Sequence, residues 1–235
     1  MTMRVWMVWI VVAGCDYRPT FGDCEVACAA DDCPDGFTCG SEGLCRIVGA
    51  VGSCTTPPGA QTVTLRQTLD DVIAADASSA CFTSVTTRDN HWYRLFPIAR
   101  TIHVTRVTLG IQEASAAANV LVRIGVYAGP VAPALDLARS QQLGMAEVTL
   151  PAVTNRALVD ASIDATLEAG DVLLAEVFAP AYAGPNAVFF LGATAAGDTQ
   201  RAYWSSAACG QPIPMTTAVS VPTPAVILEV TGTEE

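Results

Sequence analysis

Cysteine placement constrains this chain more than any other feature. Nine cysteines occur, at 15, 24, 28, 33, 39, 45, 54, 81 and 209. Six of them, Cys24, Cys28, Cys33, Cys39, Cys45 and Cys54, crowd into one short stretch. A segment of that length cannot bury a core of its own, so three disulfides take the core's place. Six cysteines allow fifteen pairings, and spacing does not choose among them. Turn residues fill the gaps, as in Cys33-Pro34-Asp35-Gly36-Phe37-Thr38-Cys39. There are no paired Cys-x-x-Cys knuckles and no histidine nearby, so zinc is not expected. Asp31, Asp32 and Asp35 form no regular calcium-ligand ladder.

An odd number of cysteines needs an explanation in an exported chain. Arg4 precedes the apolar run Val5–Val12, and Ala13-Gly14-Cys15 follows. The run is too short for a membrane-spanning helix, which needs about 20 residues, but it suits the hydrophobic region of a signal peptide. Val12-Ala13-Gly14-Cys15 resembles the lipobox of bacterial lipoproteins cleaved by signal peptidase II. That resemblance implies removal of residues 1–14 and attachment of a diacylglyceryl group to the Cys15 sulfur. Lipidation of Cys15 leaves eight cysteines, an even set. The expected address is the bacterial cell envelope, with the outer membrane or cell surface favoured over the inner membrane.

Residues 15–54 then form the lipidated N-terminus and cysteine-rich module. Thr55-Thr56-Pro57-Pro58-Gly59-Ala60 reads as a stiff linker, and residues 61–235 form a second domain. Short strand patterns recur there between turn signals. They include His91–Phe96, Ile102–Ile111, Val120–Tyr127, Met145–Leu150, Arg156–Ile163, Asp171–Phe178, Ala187–Leu191 and Ala225–Val230. Such spacing predicts an all-β, jelly-roll-like sandwich rather than βαβ units. The segment Glu113–Ala118 is Ala-rich but too short for a helix. Cys81 and Cys209 flank most of the domain and are expected to pair. Residues 81–232 resemble a β-sandwich domain appended to secreted and surface bacterial proteins. The resemblance lies in Asn90–Phe96, Val107–Gln112, Val122–Tyr127, Phe189–Gly192, Ala208-Cys209-Gly210 and Val230-Thr231-Gly232. It carries no catalytic residue.

Charge and composition narrow the function. The formal net charge is −11; losing Arg4 leaves 11 basic against 23 acidic residues, or −12. Such a chain repels phosphate backbones, so nucleic acid is not an expected partner. All 12 basic residues are arginines, which rules out a Schiff-base or phosphate-loop lysine. His91 and His103 are the only histidines. No nucleophile-elbow or HExxH motif accompanies them, so both read as structural or solvated. Asp70, Asp71, Asp160, Asp164, Glu168, Asp171 and Glu176 could form a glycosidase pair only at a defined separation. Among the aromatics, Tyr182 and Trp204 have loop-like neighbours and are the preferred ligand contacts. The expectation is a non-catalytic, envelope-anchored binding or adhesion domain, without metal or cofactor. Its contacts would be the membrane, through the N-terminal lipid, and a glycan or surface protein. The alternatives are an accessory subunit or remnant of a secreted hydrolase, and a carbohydrate-active enzyme. Oligomeric state is not legible.

Overall fold

The structure is a computed structural model that describes residues 26, 28, 33–40, 43–49, 61–78, 80–82, 86–151, 153–182, 187–216 and 225–234. Cys15, Cys24 and Cys54 lie outside the described residues, as do the signal and the linker. The chain divides into two compact units, Met1–Gly59 and Ala60–Glu235.

The smaller unit contains a hairpin of β1 (Phe37–Cys39) and β2 (Cys45–Ile47), paired antiparallel with Cys39 opposite Cys45. Two interlaced disulfides hold it: Cys28–Cys39 and Cys33–Cys45. Only Leu44 and Cys45 are apolar and buried among the unit's described residues, so cross-links do the work of a core. The sulfurs of Cys28, Cys33 and Cys39 lie close together. All three are in disulfides, which removes the thiolates a metal would need.

The larger unit is an antiparallel β-sandwich. Its strands are β3 (Gln61–Leu65), β4 (Asn90–Pro97), β5 (Ile102–Ala114), β6 (Ala118–Tyr127), β7 (Ser140–Leu150), β8 (Thr154–Leu167), β9 (Val172–Ala179), β10 (Phe189–Leu191), β11 (Ala193–Thr194), β12 (Tyr203–Ser206), β13 (Gln211–Thr216), β14 (Ala225–Val226) and β15 (Leu228–Glu234). One sheet runs β3-β15-β5-β8, with β10 continuing the β15 edge of β5. The other runs β13-β12-β4-β9-β6-β7. Numbering the eight principal strands in chain order (β3 to β9, then β15), the sheets read 1-8-3-6 and 2-7-4-5. That is the doubly wound Greek-key order of a jelly roll. The segment between β9 and β15 supplies the extra strands β10 to β14, of which β12 and β13 widen the second sheet.

Alternation decides which side chains enter the core. Ile102, Val104, Val107, Leu109 and Ile111 of β5 meet Val120, Val122 and Ile124 of β6 and Leu173, Ala175 and Val177 of β9 in one buried cluster. The step from Val104 to Val107 breaks the period of two because the register shifts between Val104 and Arg106. At one junction three backbones converge. Gly110 donates to Ile227 O at 3.0 Å, Gly192 to Gly110 O at 2.7 Å, and Ile227 to Gly192 O at 2.9 Å. A Cβ on Gly192 would lie 2.9 Å from the Gly110 carbonyl carbon, so only glycine permits this approach.

The Cys81–Cys209 disulfide spans a sequence separation of 128 and joins the segment before β4 to the turn after β12. Arg94 of β4 has the same tethering effect from within. It is fully buried, and its five N–H groups find acceptors. Nε and Nη2 donate to Val226 O at 3.0 and 2.7 Å. Nη1 donates to Gln67 Oε1 at 3.1 Å and Gln200 O at 2.8 Å, and Nη2 reaches Asp198 Oδ2 at 3.3 Å. One side chain thus binds the segment just after β3, the loop before β12 and strand β14.

Candidate functional site: the outer face of the six-stranded sheet

In β4, the residues between Trp92, Arg94 and Phe96 point away from the core: His91, Tyr93 and Leu95. Strand register places each in a row across the sheet. Ser205, His91, Phe178 and Leu121 form one row, and Tyr203, Tyr93, Glu176 and Arg123 the next. Leu95, Leu174 and Gly125 form the third. A sandwich normally turns this side to water, yet Tyr93, Leu95, Leu174 and Tyr203 are buried.

The cover is a strap, residues 128–139, that connects β6 to β7. It crosses to the opposite edge of the sheet and pairs with β13. Leu135 N donates to Pro214 O at 2.9 Å and Thr216 N to Pro133 O at 2.8 Å. Leu135, 2% exposed, packs into the apolar patch of Tyr93, Leu95, Tyr127, Leu174 and Tyr203. The Tyr127 hydroxyl fixes the strap's start, donating to Pro130 O at 3.3 Å and accepting from Asp136 N at 3.2 Å.

Beside the patch lies an ionic cluster. Glu176 Oε1 is 2.6 Å from His91 Nδ1, and Arg123 Nη1 donates to Glu176 Oε2 at 3.1 Å. The Phe178 ring stacks on His91 at 4.4 Å, and the Arg123 guanidinium stands 5.7 Å from its centroid. Burial pushes the Glu176 pKa up, but the His91 hydrogen bond and the Arg123 charge together outweigh it and hold the carboxyl below its usual value. Burial, then the charge of Glu176, raises the Tyr93 phenol far above its ordinary value, so it stays protonated.

Two hollows open on this face. One, of about 80 Å³, is lined by Arg123, Gly125, Gln141, Gln142, Leu174 and Glu176. The other, of about 280 Å³, is lined by Leu95, Pro97, Val131, Val172, Gln200, Arg201 and Tyr203.

The residues singled out from sequence are dispersed. Trp204 lies in β12, not in a loop; it pairs in register with Trp92, and its indole N–H donates to Asn90 Oδ1 at 2.8 Å. Tyr182 stacks on Phe189 at 6.0 Å against the core, with its hydroxyl buried and without a hydrogen-bond partner among the described residues. His103 is on the other sheet, 3.2 Å from Thr166 Oγ1 and 3.6 Å from Asp164. The carboxylates each have a local partner. Asp70 bonds the Thr194 hydroxyl, and Asp71 pairs with Arg66. Asp160 accepts from Thr108, and Glu168 accepts from Thr101. Asp171 accepts from the Glu168 amide. Sequence reading did not single out Arg123, Phe178 or Arg201. The first two share an outward parity with His91 and Glu176, which was the available signal.

The chain matches no protein-family model and no curated protein.

Proposed function

We propose that this is an exported, lipid-anchored envelope protein whose sandwich domain captures a ligand on the outer face of its six-stranded sheet, without chemistry on that ligand. The observation that carries the reading is the face itself. Aromatic and ion-paired side chains that would be solvated on an ordinary sandwich are gathered there beside two hollows. The resemblance of Val12-Ala13-Gly14-Cys15 to a lipobox supports the anchor. Three disulfides among the described residues favour an oxidising compartment. The separate local partners of the carboxylates favour binding over glycoside hydrolysis, which needs two carboxyls across one cleft.

Cell fractionation with protease shaving tests the reading, with Cys15→Ser as the anchoring control. Wild type should sediment with membranes and be shaved from intact cells, while the variant is released. Identical soluble behaviour of both would remove the anchor. Pull-down and glycan-array binding that survives Glu176→Gln and Arg123→Ala unchanged would remove the face.

A further inference from the structure

We infer that the larger hollow binds a small monocarboxylate with an apolar aromatic or branched body, held by Arg201. This rests on the reading that the outer face is a ligand surface, and it names the ligand class. The floor is apolar: the buried Leu95 and Tyr203 with Val172 beside them. Pro97 and Val131 form the walls, and Val131 is 69% exposed on the strap. A hollow of about 280 Å³ lies just below the roughly 300–1,000 Å³ of pockets for drug-sized ligands, which suits a smaller molecule. An apolar ring or branched chain of that size fits, and a sugar would leave most of its hydroxyls facing carbon.

The charge at the rim selects the other end of the ligand. Arg66, Arg94, Arg100, Arg106, Arg123 and Arg139 are each paired with a carboxylate. Arg88, Arg156 and Arg201 make no ion pair among the described residues, and of these three the exposed Arg201 is the one that lines this hollow. In a chain of net charge −11, an unpaired guanidinium at the mouth of an apolar hollow is a specific attraction for an anion. Its planar fork matches a carboxylate. With one cation and an apolar lining, the hollow suits a monoanion better than a phosphate dianion.

The test uses the exported full chain carrying Cys15→Ser, with carbon-13-labelled Leu and Val methyls. Phenylacetate and 4-methylpentanoate are titrated against neutral phenylacetamide. The expected result is a saturable shift confined to Leu95, Val131 and Val172, with a Kd of about 1 mM. The amide and the Arg201→Gln variant should each bind about tenfold more weakly, with Arg201→Lys retaining part of the affinity. Thermal stability should not change in either variant. No saturable shift by about 20 mM, equal binding of acid and amide, or unaltered binding by Arg201→Gln would each overturn the inference. Fractionation and shaving report on the anchored binding protein separately. A chain that is anchored and captures another ligand on this face, but ignores carboxylates, loses this inference alone.

Discussion

Replacing Arg94 with methionine should be among the most damaging single changes in the larger unit. Methionine fills much of the same space and keeps the apolar stem, so little cavity opens. What it removes is five hydrogen bonds to four partners. Two of those partners are backbone carbonyls, Val226 O and Gln200 O, which no compensating substitution can delete. A third is the Gln67 amide oxygen, held 5% exposed. The fourth is the Asp198 carboxylate, whose side chain is 14% exposed. Each neutral acceptor stranded away from water costs about 1 kcal/mol or more. Removing one partner of a buried ion pair typically costs 3–5 kcal/mol in all, roughly. A loss of about 4 kcal/mol is expected, a large share of a domain stability of about 5–15 kcal/mol. For a domain of this size that corresponds to a Tm lower by roughly 8–16 °C. Urea and thermal unfolding of the oxidised protein, followed by tryptophan fluorescence and circular dichroism, provide the measurement. Asp198→Asn completes a double-mutant cycle, in which a coupling of at least about 1 kcal/mol is expected. A loss below about 1 kcal/mol for Arg94→Met would show that this buried network does not stabilise the fold.

Three further outcomes follow from the same geometry. Gly192→Ala drives a Cβ against the Gly110 backbone, where nothing flexible can yield, and should destabilise by about 2–3 kcal/mol in the same unfolding assay; a neutral effect would mean that the junction is loose. Opening the Cys81–Cys209 bridge with paired serines should cost about 4–5 kcal/mol by chain-entropy reasoning for so long a loop, read from the urea midpoint of the variant. Glu176 contributes stability that is present above its unfolded pKa and is lost as pH falls through its lower folded value. Glu176→Gln should therefore be weaker than wild type by about 1–3 kcal/mol at pH 7, and the difference should shrink below about pH 4. A difference independent of pH would place the effect elsewhere than in the carboxylate's charge.

Most of the sandwich was legible because most strands alternate. In β8, Ala161, Ile163, Ala165 and Leu167 are buried and the residues between them exposed, so its inner face can be read directly. The start of β7, Ser140-Gln141-Gln142-Leu143-Gly144, escaped because an edge strand with little burial carries almost no hydrophobic period. Strands β3, β12 and β13 also went unread. The sequence Gln-Pro-Ile-Pro-Met-Thr of β13 looks like a loop because its prolines cannot donate to a ladder, which an edge strand tolerates. The functional face was hidden for the opposite reason. In β4, residues of both parities are apolar or aromatic, so alternation could not say whether Trp92 or Tyr93 points inward. The strap supplied the answer: it buries Tyr93 from outside, a contact between segments far apart in the chain. Trp204 was misplaced in a loop because its strand has only four residues, too few for a period to show.

The position of β15 bears on how the chain matures. It is the last strand in chain order, yet it lies between β3 and β5, hydrogen-bonded on both sides. Until it arrives, β3 has no partner in its sheet, and Val104, Val107 and Leu109 lack the neighbouring strand that carries Leu228 and Val230. A chain threaded N-terminus first through a narrow export channel would therefore emerge with its cysteine-rich segment free to oxidise early. The sandwich would stay open to water until the final strand followed. On the proposed export route, delayed closure of this kind would favour translocation, which requires an unfolded substrate. It also leaves a period in which Cys81 can meet the wrong sulfur before Cys209 is delivered, so the order of emergence itself becomes part of the folding problem.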